Sequence, residues 1–180
     1  MIDKKQNNIN LEKYFENVDN LWDFHNQFNF ENNDRAIVIV GLSYIDDLLI
    51  KCLENFFPDK SKTVEKLLSH RGVLGNFNSK VEFLYCLGFI NKIVKSDLDT
   101  LGEIRNKFAH KLKISFEDEE IIKKCDSFKW HEIAMMRKAP KDATAIDIFK
   151  VEVNTMVSHL SGIVSICASD KRILKEAYGK

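Results

Sequence analysis

The stretch that decides the fold is Arg35-Ala-Ile-Val-Ile-Val-Gly-Leu-Ser-Tyr-Ile-Asp-Asp-Leu-Leu-Ile50. Read at helical spacing, Ile37, Val40, Tyr44 and Leu48 form one apolar row, and Leu42, Ile45, Leu49 and Leu53 form another. A helix that is apolar on two sides has to be covered on two sides, which places it in the middle of a bundle. Asn32, Asn33 and Asp34 are N-cap candidates for a start near Arg35, and Pro58 stops the helix after Phe57.

Working outward, Leu11, Tyr14, Phe15, Val18, Leu21, Trp22, His25 and Phe28 recur every three or four positions and mark a preceding helix. Thr63–Ser69 makes a short helix, and Gly72 and Gly75 mark a tight path in the loop that follows. Asn78 or Ser79 is the expected cap of a helix closed by Gly88, and Ser96 or Asp97 the expected cap of the next. Ser115 with Asp118 resembles a capping box, and Glu117–Glu120 reads as an acidic first turn, with Glu119 and Glu120 facing Lys123 and Lys124. Residues 131–143 read as a loop. A last helix runs from about Thr144 to Glu176, with Ile146, Phe149, Val153, Met156, Val157, Leu160, Val164 and Cys167 as its buried stripe. The expected architecture is all-α, a single helical bundle of about seven helices over residues 10–180, after a frayed N-terminus at 1–9.

Composition agrees. With 7 glycines and 2 prolines in 180 residues, helices are easier to build than a turn-rich sheet, and 13 phenylalanines supply large core knobs. Formal net charge is zero. Residues 1–34 carry three basic and seven acidic groups and residues 123–180 eleven basic and seven acidic. A nucleic-acid protein normally shows a basic excess, so DNA is not supported as the main ligand, whereas an acidic N-terminus suits a basic protein partner. Cys52, Cys86, Cys125 and Cys167 are far apart among apolar residues, which predicts buried reduced thiols and neither zinc nor a redox pair. His25, His70, His131 and His159 have no metal spacing and read as packed or surface side chains, so no metal and no cofactor is expected. The N-terminus has no secretory signal, and the apolar run Ala36–Ile45 is about half a membrane span. A soluble, cytoplasmic protein is expected.

The chemistry-bearing cluster is Arg105, Asn106 and His110, near the end of an amphipathic helix. Two readings compete. As a ribonuclease centre, an imidazole would move a proton at a ribose 2′-hydroxyl while a guanidinium steadies the phosphorane charge. As a structural clasp, Arg105, Asn106 and His110 would satisfy Asp46 and Asp47, which interrupt the apolar central helix. The clasp accounts for both clusters at once and is the reading taken. It predicts that Arg105→Ala costs about 3–5 kcal/mol, as for a broken buried pair.

Three blocks taken together, Arg35 to Leu49, Leu74-Gly-Asn-Phe-Asn-Ser-Lys-Val-Glu-Phe-Leu-Tyr-Cys-Leu-Gly-Phe-Ile90 and Ile104-Arg-Asn-Lys-Phe-Ala-His110, resemble the mannitol operon repressor family in order and spacing. The resemblance covers roughly residues 30–125 and implies an all-helical regulator without a helix-turn-helix. The same fold type is similar to some immunity proteins of bacterial contact-dependent toxin systems. Arg105, Asn106 and His110 also resemble the signature of HEPN ribonucleases, which implies catalysis in a dimer cleft by Arg105 and His110.

The expected function is therefore a non-enzymatic helical binding protein with a protein partner. That partner is either a regulatory protein, in transcription regulation, or a toxin nuclease, in toxin immunity. The acidic face Glu12, Glu16, Asp19 and Asp23 is the expected contact for a basic partner. The alternative is a HEPN-like ribonuclease using Arg105, Asn106 and His110.

Overall fold

The computed structural model describes residues 11–58 and 61–175, with side chains from residue 21 onward. The expectation for residues 1–9 lies outside the described residues, whereas the last helix, expected to run to about Glu176, ends at Ser169, within the described residues. Eight helices and no strand are present among them: α1 (Leu11–Phe30), α2 (Asp34–Phe56), α3 (Lys62–Leu68), α4 (Phe77–Cys86), α5 (Lys92–His110), α6 (Glu119–Asp126), α7 (Trp130–Ala134) and α8 (Ala145–Ser169). The all-α bundle is as expected.

The chain divides into two units after Glu31. In the first, α1 stacks Phe24 on Phe28 at 5.1 Å and sets His25 edge-on to Phe24 at 5.6 Å. Trp22, expected in the apolar stripe, is exposed.

The second unit is built on α2. Asn33 caps it by accepting the Ala36 N–H at 3.0 Å. Ile37, Leu42, Ile45, Leu49, Cys52 and Leu53 are fully buried, and each large apolar side chain contributes about 1.5–3 kcal/mol of burial. Val40, placed in a buried row by spacing, is 47% exposed. α2 packs chiefly along α8, with α4 and α5 on another flank, while α6 and α7 lie against α8. Among the described residues α8 is the one helix that would qualify as a membrane span by length and composition. In the bundle its stripe of Phe149, Val153, Met156, Val157, Leu160, Ile163 and Cys167 is buried. Ile146 and Val164 are only half-buried. Phe116 joins Phe108 of α5 to Phe149 of α8, with ring centroids 5.3 and 5.1 Å apart.

Two expected caps move. Asn76 caps α4 through the Ser79 N–H at 2.8 Å. Asn91 caps α5 through the N–H groups of Ile93 and Val94 at 2.9 and 3.0 Å, so α5 begins a turn earlier and Asp97 falls inside it. Ser115 and Asp118 form a turn in place of a capping box. Asp118 accepts the Ser115 N–H at 2.7 Å, and the Ser115 hydroxyl accepts from Glu117 N–H at 3.2 Å.

The loop after α3 is as tight as its glycines imply. Leu74 N–H donates to Leu67 at 3.0 Å, and a Cβ on Gly72 would lie 2.2 Å from that same carbonyl oxygen. Gly88, at φ +79°, closes α4 in the left-handed region, with Phe89 N–H donating back to Leu84 at 3.0 Å. The expected loop over 131–143 contains α7. Beyond it α8 starts with a full capping box between Thr144 and Asp147. Cys52, Cys125 and Cys167 are buried, but Cys86 is exposed, contrary to expectation, because α4 turns that position away from α2 and α5.

Candidate functional site

Two polar regions stand out, one at the C-terminal end of α5 and one around α7. At the first, Leu101, Ile104 and Phe108 are fully buried, which turns the polar residues of the same helix outward. Arg105 is half-buried, and Asn106 and His110 are exposed. The end of α5 is held by Arg35, whose guanidinium donates to the carbonyls of Phe108, Lys111 (2.7 Å) and Leu112 (3.3 Å). These carbonyls have no partner within the helix, and a cation at that end also suits the helix dipole. Beside Arg35, the Asp34 carboxylate accepts the Phe116 N–H at 3.1 Å.

The clasp expected between Asp46, Asp47 and Arg105, Asn106, His110 does not form. Asp46 pairs with the buried Lys80 of α4 at 2.9 Å, and Lys80 also reaches the Gly75 carbonyl at 3.4 Å. Asp47 pairs with Lys51 along α2 at 2.8 Å. The reason is axial: α5 ends level with Arg35, and Asp46 lies three turns further along α2, about 16 Å at 1.5 Å per residue. An arginine does lock the helix, but it is the one from the central helix.

Outside that lock, Asn106 and His110 line an open groove of about 490 Å³ with Glu103, Lys107, Lys111, Glu120 and Lys124. Glu120 bridges Lys107 and Lys111, and Lys124 pairs with Glu103. Lys107 first, then Lys111, holds the Glu120 carboxyl below its usual range. Glu119 meets Lys123 at 2.6 Å as expected, whereas Glu120 and Lys124 reach across to α5 instead of facing each other along α6. Arg105 does not line this groove, so the structure separates it from His110. Of the acidic face, Asp23 is exposed, and Glu12, Glu16 and Asp19 have side chains outside the described residues.

The second region was not legible as a cluster. Asp97 of α5 accepts the N–H groups of Lys129 and Trp130 at 2.8 and 2.6 Å. Glu152 of α8 accepts the next one, His131 N–H, at 3.0 Å, and the His131 ring Nδ1 lies 2.9 Å from the same oxygen. Three consecutive amides at the start of α7 are thus gripped by carboxylates from two helices. Burial pushes both carboxyls above their ordinary range, opposed by the hydrogen bonds that each accepts. His131 is 5% exposed and its Nε2 has no protein partner among the described residues. His131 is among the residues that line a cavity of about 370 Å³. Nearby, Trp130 lies against the ring of half-buried His159 with centroids 4.3 Å apart, and burial lowers the His159 pKa. A signal was present in the sequence. Glu152 lies three residues after Phe149 and four before Met156, on the core face of an otherwise apolar helix.

His70 is exposed, and among the described residues no three His, Cys, Asp or Glu side chains gather as a metal site requires.

Comparison with known proteins adds two findings. A family model described as "Mannitol repressor" matches residues 25–164. A chain in the X-ray structure of the MtlR–HPr complex from Escherichia coli shares the fold at TM-score 0.55 and 22% identity, covering 81% of this chain and 98% of that one. No curated protein matches.

Proposed function

This chain belongs to the mannitol repressor family, and from that premise we propose that it is a non-enzymatic regulator acting by binding another protein in the cytoplasm. The observation that carries the reading is the shared fold with a chain whose solved structure is a complex with a second protein, HPr. The surface at the end of α5 supports it. Exposed Asn106 and His110 stand among paired charges, next to Leu112, which is 96% exposed between Lys111 and Lys113. An exposed apolar anchor ringed by polar groups is how interface centres are commonly made. The fixed lysine–glutamate pairs around it would set register more than affinity.

Titrating the chain with HPr from its own cell tests this. The expected result is a saturable complex weakened about tenfold or more by Leu112→Asp, since an anchor is worth roughly 1.4 kcal/mol or more. If neither HPr nor any protein captured from the native cell binds saturably, the reading fails. The family favours a regulatory partner over a toxin nuclease, and the separation of Arg105 from the groove favours binding over HEPN-like cleavage. Total RNA degraded by the purified chain, and spared by an Arg105/His110 double variant, would reverse that second preference.

A further inference from the structure

Leu112 is 96% exposed, so packing within the chain does not aim its side chain. Its direction is set by the backbone that carries it. Among the described residues, 112–114 make no hydrogen bond from backbone to backbone. What holds the Leu112 backbone is a side chain 77 residues away, the Arg35 guanidinium of α2.

We propose that Arg35 is a positioning residue of the protein-binding surface, presetting the backbone of Lys111 and Leu112 in the shape that the partner meets. This rests on the protein-partner reading and adds how its anchor is held.

The geometry is that of a fork. One terminal nitrogen of Arg35 bridges the carbonyls of Lys111 and Leu112, at 2.7 and 3.3 Å, and the other takes the Phe108 carbonyl. Acceptors spread over five residues suit a planar, multi-donor guanidinium and not the single ammonium of a lysine. The far end of the segment is tied from the same turn, since Asp34 accepts the Phe116 N–H at 3.1 Å. Residues 111–116 are thus pinned at both ends by two consecutive residues of α2. That turn is capped by Asn33 and runs directly into fully buried Ile37 and Val38, so the anchor is tied to the core of the bundle. A segment without these ties would have to be ordered as the partner arrives. The fraction of molecules already in the binding shape scales the affinity directly.

The test is a double-variant cycle on HPr binding, with amide ¹⁵N relaxation measured on the free protein. Arg35→Gln should weaken HPr about fivefold to tenfold, as for a binding shape populated in only a tenth to a fifth of molecules. Leu112→Ala should weaken it severalfold. In that background Arg35→Gln should cost less than about twofold, because the position it sets no longer carries an anchor. A general loss of folded protein would lower both backgrounds equally. Arg35→Lys, which keeps the charge and loses the fork, should recover only part of the affinity, and it carries the same cycle if Arg35→Gln does not fold. In the free protein, the order parameters of the Leu112 and Lys113 amides should fall from about 0.85 toward 0.6 without Arg35. Equal weakening in both backgrounds overturns the proposal, as do amides equally mobile with and without Arg35. If Leu112→Ala weakens HPr and Arg35→Gln does not, the anchor stands and the proposal alone falls. If HPr does not bind the parent, or binds Leu112→Ala as tightly, the proposal falls together with the anchor it rests on.

Discussion

The end of α5 and the start of α7 make opposite use of polar residues. Arg105, Asn106 and His110 are neighbours in sequence and look like chemistry, yet two of the three are exposed and the third, half-buried, does not line the groove that they do. Asp97, His131 and Glu152 are scattered over three helices and look like nothing in sequence, yet all are buried and two of them share hydrogen bonds. Proximity along the chain puts residues on one helix, where solvent can satisfy them singly. Proximity in the core forces them to satisfy one another.

That contrast can be broken by substitution. The largest effect belongs to Glu152→Ala, which strips the acceptor from a buried N–H and a buried imidazole. It should lower unfolding free energy by about 3–5 kcal/mol in urea denaturation. Arg35→Ala comes next. It frees three carbonyls at the end of α5, and a loss of about 1.5–3 kcal/mol is expected because the lost donor is charged but partly solvated. A loss below that of Arg105→Ala would put the helix lock back on the α5 cluster.

The pH dependence sharpens the same comparison. Glu152 has a folded pKa raised above its ordinary 4.5 by burial. The unfolded chain therefore releases that proton first, and the group's contribution is present below pH 4.5 and lost as pH rises through the folded value. Glu152→Gln should remove this alkaline-going loss from a stability–pH series. Glu120, whose pKa is lowered, acts in the other sense, contributing above 4.5 and losing it as pH falls. Smallest of all, Arg105→Ala and His110→Ala should each stay within about 0.5 kcal/mol of the parent, well short of the clasp's expected cost. A loss of several kcal/mol for either would restore the clasp.

The helices were legible because their signals are local. The two-sided apolarity of 35–56, the stop before Pro58, the Asn33 cap and the Thr144 start all depend on residues within a turn or two. The site was less legible because its partners are remote: 32 and 33 residues separate Asp97 from the amides it accepts, and 21 separate His131 from Glu152. The α5 cap shows how one local choice propagates. With Asn91 as the cap, Asp97 becomes an interior residue among Val94, Leu98 and Leu101, so it could not also serve as a helix start. Glu152 was visible as an acid on an apolar face, but the sequence does not say that its partner is the N-terminus of a five-residue helix lying in an expected loop.

The grip on α7 also has a consequence in time. Five residues are far too few to hold a helix in water, since nucleation is costly and isolated helices need roughly 12–15 residues to be even marginal. Its first three amides find their acceptors only on α5 and α8, so α7 has no reason to exist before those two helices have docked. Its formation is then a late step of folding, and a destabilising change confined to α7 should quicken unfolding while leaving the refolding rate almost untouched.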